Sequence, residues 1–390
     1  MTNVSIIGIG KTEVGEHWET SIRHLAWYAI EAALDNAATT EIDALYVGNM
    51  LAGGLGGQDH LGALVADFAG LRGIEAVTVE AADASGGAAL RQAVLAVRSG
   101  LVRTALAVGV EKVTDESGSA VLAELSTGLD ADYESVHGLT PAGAAALLMR
   151  RYMHEYGVTL DDFAGFSVNA HRNAADNPLA MFRNRLKADR FATAPLIAEP
   201  ISLFDMAPLA DGAAAVIVTA ADRAMDMVPQ PVRVAGSALA TDTIALHDRR
   251  DPLWLSAAAH SAEAAMAAAG VTHADIDLFE LHDAYTILAA LSLEAAGFAD
   301  RGEGWRLAAE EMSPDGTPAI ARDGAIPIST FGGLKARGNP LGATGLYQIV
   351  EVVQQLRGEA GDCQIPGART GMAQCLGVIG ATAVTHVLQI

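Results

Sequence analysis

Cysteine is nearly absent. Only Cys363 and Cys375 occur in 390 residues. Two thiols do not make a disulfide framework, so a reducing compartment is expected. There is no C-x-x-C pair, and no metal site is expected in this chain. Basic charge is also scarce. Lys and Arg number 25 against 47 Asp and Glu, a formal net charge of −22. Such a surface repels nucleic acid and anionic membranes, so neither is an expected partner. No apolar run reaches membrane-spanning length. The opening "MTNVSIIGIGK" lacks a basic n-region and an apolar core. It reads as a first strand, not a signal peptide, and a cytoplasmic location is the expectation.

What is abundant is small and apolar. Hydrophobic residues make up 51%, much of it Ala, alongside 40 Gly. That composition suits closely packed helices and sheets. A chain this long exceeds one compact core, which implies two lobes or a large layered α/β unit.

Strands and helices alternate through the first half. "VSIIGIG" is strand-like and "SIRHLAWYAIEAALDNA" has helical periodicity. "IDALYVGNM", "VTVEAA" and "RTALAVGVEKV" are further strands, and "SGGAALRQAVLAVRSG" is a helix. This alternation predicts a mostly parallel sheet covered by helices. The second half repeats the theme. "SAAAHSAEAAMAAAGVTHADIDLFELHDAY" parallels "SIRHLAWYAIEAALDNAATTEIDALYVGNM", with Ile42 and Ile276 in the same place. "GNPLGATGLYQIVEVVQQLRG" likewise parallels "VEAADASGGAALRQA", residues 79–93. Two matched units in the same order imply an internal duplication. Three regions follow: an N-terminal half at 1–113, a central insert at 114–229, and a C-terminal half at 230–390. The insert is irregular and charged, a candidate substrate cover that ends by returning to the N-terminal half.

The stretch "VEAADASGGAALRQA" reads as a strand, a tight turn of small residues, then a helix. Such a turn delivers one side chain to a helix N-terminus, and here that side chain is Asp83. Other segments are equally distinctive: "HGLTPAG", "RRYMHEYG", "PLADGAAAVIV", "HDAYT", "GGLKARGNPLGATG" and "GVIGATAVTHVL". Together they resemble the thiolase superfamily along the whole chain, nearest the sterol-carrier-protein type and its bacterial relatives. The resemblance implies a layered αβαβα fold with duplicated halves and a central insert. It implies a homodimer and acyl-CoA substrates, with coenzyme A as part of the substrate and no prosthetic group.

The resemblance also implies a catalytic set from which this chain departs. Asp83 stands where that branch carries a nucleophilic Cys. His282, Asp283, Ala284, Tyr285 stand where it carries His-Asp-Cys-Phe. Gly338, Asn339, Pro340 stand where it carries Gly-His-Pro. Thiolysis parks an acyl group on a thiolate raised by a base. A carboxylate would form a hydrolysis-prone anhydride instead. A thioester cradle with an oxyanion site survives, and it suits an enolate. A reaction needing an enolate and proton transfers without a covalent intermediate is a retro-aldol. The sequence is similar to the thiolase-like aldolases of bacterial steroid side-chain degradation, which lack the nucleophile. Those work with a small partner that combines a zinc ribbon and an oligonucleotide/oligosaccharide-binding fold.

Candidate residues follow. Tyr285 and Tyr347 are placed for proton transfer, although an aromatic on an apolar helix face, as Tyr347 is, also suits a core. His282 and Asn339 suit oxyanion binding, with a structural role as the rival for His282. Asp83 reads as a base, a partner of Tyr285, or a polar plug. Cys375 falls on the family's Cys-x-Gly position and reads as a small buried residue or a pocket group. Arg183, Arg185 and Lys187, with Arg172 and Arg190 nearby, read as a site for CoA phosphates or as a salt-bridged helix face. Two further functions stand beside aldol cleavage: an acyltransferase or thiolase with an atypical site, and a degenerate subunit of a hetero-complex.

Overall fold

The computed structural model describes residues 3–309 and 316–390. Nine of its strands form one sheet in the order β3-β2-β4-β7-β1-β8-β11-β10-β9. The first half contributes β1 (Val4–Lys11), β2 (Ala44–Gly48), β3 (Glu75–Val79), β4 (Thr104–Glu111) and β7 (Gly212–Ala220). The second contributes β8 (Val232–Thr241), β9 (Leu278–Glu280), β10 (Thr370–Gly377) and β11 (Thr382–Gln389). A small ribbon, β5 (Leu196–Ala198) with β6 (Ile201–Ser202), stands apart.

The duplication is visible in the pairing. β2 pairs parallel with β4, and β9 parallel with β10. β4 pairs antiparallel with β7, and β10 antiparallel with β11. β7 then meets β1 as β11 meets β8, again antiparallel. β3 beside β2 has only a remnant counterpart, a parallel bridge from Phe279 to Ile328. The halves join where Ser5 and Ile6 of β1 pair with Arg233 and Val232 of β8.

Strand–helix alternation predicts a mostly parallel sheet, and parallel pairing holds where helices cross over, at the two flanks. The middle is antiparallel. There, β7 returns from the central excursion between β4 and β1, and β10 turns directly into β11. A short turn reverses a chain, whereas a parallel neighbour needs a crossover.

The layers follow from which face each helix covers. α1 (Ile22–Ala37), α2 (Leu61–Phe68) and α8 (Ala221–Met227) cover the outer face of the first half, burying Ile7, Leu45, Val108 and Ile217. α9 (Ser256–Ala269) and α10 (Thr286–Ala295) cover the second half. Between the half-sheets lie α3 (Ser85–Ser99) and α11 (Thr344–Arg357), packed on each other. Their approach needs glycine. A Cβ on Gly345 would sit 2.5 Å from the Gly87 nitrogen, and one on Gly86 would sit 2.8 Å from the Gly342 oxygen. The result is the αβαβα arrangement the resemblance implies.

The remaining helices, α4 (Gly118–Leu125), α5 (Pro141–Tyr156), α6 (Ala164–Ala174) and α7 (Ala188–Ala192), belong to the excursion before β7. Among the described residues, no helix is long and apolar enough to cross a membrane.

Candidate active site

Four chain turns converge at one end of the central helices. The first is the β3–α3 turn. Ala82 holds a left-handed φ of 52° there, in a pocket of local hydrogen bonds. The Ser85 hydroxyl accepts from Ala81 N at 2.9 Å and donates to the Ala82 carbonyl at 2.5 Å. This strained turn projects Asp83 from the start of α3. The second is the β10–β11 turn, where Val378 has a φ of 49° and its N–H donates to Asp83 Oδ2 at 3.0 Å. The third is the loop between β9 and α10, which carries His282 and Tyr285. The fourth is the loop before α11, which carries Asn339.

These four side chains line one cavity of about 700 Å³. Asp83 is 5% exposed. Burial pushes its carboxyl up to about 6, against the opposing pull of hydrogen bonds from Val378 and the Asn339 amide. Asn339 can face only one way. Its Oδ1 accepts from Leu341 N at 3.1 Å and Thr344 Oγ1 at 2.8 Å, which leaves Nδ2 as a donor toward Asp83.

His282 is fully buried, and its pKa falls to about 3 through burial and the positive charge of Arg337. The imidazole is therefore neutral near pH 7. Its Nδ1 lies 3.5 Å from Cys375 Sγ, while Nε2 has no hydrogen-bond partner although it is buried at the cavity wall. An unpartnered buried ring nitrogen costs stability unless a ligand meets it. The Cys375 thiol also reaches the Asp83 carbonyl at 3.2 Å, and burial raises its pKa well above the ordinary thiol value.

Tyr285 opens α10 and lines the cavity beside Asp83. Burial and the Asp83 charge both raise its pKa. The phenol therefore stays protonated and acts as a donor, not as a base.

The structure separates two groups of candidates from this cluster. Tyr347 sits in the core between the half-sheets, 1% exposed. Its hydroxyl meets Thr12 Oγ1 at 3.0 Å and donates to the Thr12 carbonyl at 3.1 Å. Its ring lies 5.1 Å from the Arg337 guanidinium. It does not line the cavity, and its hydroxyl is taken up by Thr12. Tyr347→Phe is expected to cost about 1 kcal/mol of stability and to leave turnover unchanged; paired denaturant titrations and rate assays check both. Arg183, Arg185 and Lys187 are exposed on the segment between α6 and α7, and none lines the cavity.

The excursion supplies wall residues that no motif marked. Val121, Leu122 and Leu125 come from α4, and Ile197 and Ala198 from β5. Leu122 and Leu125 are an i, i+3 pair facing one way, a periodicity legible in the sequence. The Val378 N–H had no signal, because every non-proline residue offers the same group. The rim carries Glu16 and Glu116, and among the described residues no Lys or Arg lines the cavity. Among the described residues, no group of three or more His, Cys, Asp and Glu is placed to hold a metal ion.

Comparison with known proteins bears on the family and the fold. Residues 4–222 match the family model "Thiolase, N-terminal domain", and residues 238–390 match "Thiolase C-terminal domain-like". The chain is 44% identical to an acetyl-CoA acetyltransferase of Methanothermobacter thermautotrophicus, covering 99% of both chains. It is 30% identical to sterol carrier protein 2 of Bos taurus, over 81% of this chain and 59% of that one. Among solved structures, the Ltp2-ChsH2(DUF35) aldolase superposes with a TM-score of 0.84 at 24% identity, covering 99% of this chain and 97% of that chain. That likeness concerns the fold. With both halves matched and the layered architecture in place, the chain belongs to the thiolase family.

Proposed function

We propose that this protein cleaves a β-hydroxyacyl-CoA by a retro-aldol reaction, giving a carbonyl compound and a shorter acyl-CoA. The observation that carries the reading is Asp83 at the nucleophile turn, buried in the cavity beside His282, Asn339 and Tyr285. A carboxyl near pKa 6 is ionised at neutral pH yet basic enough to accept a proton.

The steps balance within one cycle. The Asp83 carboxylate takes the proton of the β-hydroxyl. The oxygen's electron pair forms C=O, the Cα–Cβ bond breaks, and its electrons pass to the thioester as an enolate. His282 Nε2 and the Asn339 amide hold the enolate oxygen. Nε2 donates in the tautomer that carries the imidazole proton there, which requires the Cys375 thiol to turn its single proton from the Asp83 carbonyl to Nδ1. Tyr285 donates to the nascent carbonyl oxygen. Asp83 then returns its proton to Cα and is a carboxylate again. No free CoA enters and no covalent acyl-enzyme forms.

The same reading covers partners and substrate. The apolar wall of α4 and β5 suits an apolar acyl group, such as a steroid side chain. The CoA phosphates would lie outside the acidic rim, with Arg183, Arg185 and Lys187 as their binding strip. The β3 edge exposes Val77, Leu95 and Leu101, which suits a second copy of the chain. A protein of the same fold is an aldolase paired with a DUF35 chain, and a small partner of that kind, carrying the zinc ribbon that this chain lacks, belongs to the same reading.

Acyl transfer is the second reading, favoured by the 44% identical acetyltransferase. Asp83 and Asn339 stand against it, since neither an acyl-carrying thiolate nor its base is present at those positions. Against a degenerate subunit stand the four polar side chains kept together at the cavity wall, Asp83, His282, Tyr285 and Asn339.

The deciding experiment supplies a β-hydroxyacyl-CoA with and without free CoA and follows products by mass. Release of a carbonyl compound plus a shorter acyl-CoA, independent of free CoA, supports cleavage; CoA-dependent thiolysis overturns it. The pH profile adds a check. kcat/KM should rise as pH climbs through about 6, because Asp83 must be ionised to accept the proton. A rate that falls over that interval would remove Asp83 as the base.

A further inference from the structure

We propose that Glu111 is a positioning residue, which sets the Asn339 amide against Asp83 by anchoring the loop before α11 to the loop after β2. The inference rests on the cleavage reading for its catalytic consequence, though not for its geometry.

Glu111 ends β4 and is 1% exposed. Its carboxylate accepts four donors. Asn49 Nδ2 at 2.8 Å and Leu51 N at 3.1 Å meet Oε1. Met50 N at 2.9 Å and Gly342 N at 3.1 Å meet Oε2. Three of these donors belong to the first half and one to the second. A single buried carboxyl group, pushed up to about 7 by burial against the pull of these four donors, therefore ties the two loops whose tips, Met50 and Leu341, line the cavity. Glu111 itself does not line the cavity, so it touches no reacting atom.

The loop it anchors is strained. Leu341 holds a left-handed φ of 38°, a region that disfavours a branched side chain. Such a conformation persists only where its surroundings hold it on more than one side. Two adjacent hydrogen bonds do so: Leu341 N to Asn339 Oδ1, and Gly342 N to Glu111. The first is the bond that turns Asn339 Nδ2 toward Asp83. Gly342 also has no room to move inward, since a Cβ there would lie 2.7 Å from Met50 N and 2.8 Å from Glu111 Oε2. Releasing Glu111 lets Leu341 relax and takes its N–H from Asn339 Oδ1, so the Asn339 side chain loses one of its two holds while its backbone stays fixed by Pro208 and Ala210.

Glu111→Gln keeps the size and one acceptor, and turns an NH₂ toward backbone donors. In the full chain, kcat should fall about 10- to 100-fold with KM unchanged, since a shift on the order of 1 Å at a catalytic group has that effect. A second readout needs no turnover. The Asp83 carboxyl can be titrated by infrared difference against Asp83→Asn. Loss of the Asn339 hydrogen bond should move its midpoint up from about 6. Gly342→Ala displaces the same loop with Glu111 intact, so it tests the proposal if Glu111→Gln does not fold. A folded variant with wild-type kcat overturns the proposal. So does a fall in kcat with an unmoved Asp83 midpoint, because the route through Asn339 is then missing. If the wild-type chain cleaves nothing, the function reading fails alone, and the Asp83 midpoint still decides the role of Glu111.

Discussion

Asp83→Asn should lower cleavage by about 10³-fold, with little change in KM, while making the protein more stable at neutral pH. The activity loss follows because Asn keeps the shape and the hydrogen bond from Val378 but moves no proton, and a positioned acid–base group contributes about 10²- to 10⁴-fold. The stability gain follows from linkage. The folded carboxyl titrates at about 6, above its ordinary 3.8. The stability it contributes is therefore full below about 3.8 and is lost as pH rises through about 6. At neutral pH the fold carries the cost of an ionised buried carboxylate, on the order of 3 kcal/mol. Asn removes that cost. Denaturant midpoints at acidic and neutral pH check the sign: the variant should gain at neutral pH and gain nothing where Asp83 is already protonated. A stability cost of this kind is common at sites that trade stability for activity.

The second large effect is a gain. Asp83→Cys with Asn339→His should convert the protein into one that carries an acyl group. The cavity, His282 and the start of α3 stay as they are. A thiol at that helix start has its pKa lowered, and the new imidazole supplies a base. Incubated with a simple acyl-CoA, the double variant should gain the mass of one acyl group, whereas the wild-type chain gains none. Asp83→Cys alone should acylate about 10²-fold more slowly, because Asn339 cannot accept a proton. If the double variant stays unacylated while still folded, the cavity is not a thioester cradle, and both readings of the site lose their footing.

Much of this site is legible in the sequence because it sits on local patterns. The turn around Asp83 shows as small residues between a strand and a helix. The duplication shows as paired helix–strand units, and the strands that match obey the same pairing rules. Asn339 and His282 stand in motifs whose spacing survives. What is not legible depends on long-range placement. Strand direction in the middle of the sheet is fixed by where β7 re-enters, and no periodicity of 2 or 3.6 encodes that. The inward rotation of Tyr347 is set by Thr12, 335 residues away in the chain. Glu111 reads as the polar end of an apolar strand, and only the fold brings Gly342 to it.

Moving protons and carrying an acyl group leave different marks on the protein and on the product. The most direct measurement runs the cleavage in D₂O, quenches it during turnover, and weighs both protein and products. Proton transfer by Asp83 leaves an unmodified protein and a shortened acyl-CoA with deuterium at Cα, delivered from the Asp83 carboxyl. A protein heavier by one acyl group, or product that forms only when free CoA is added, would contradict it.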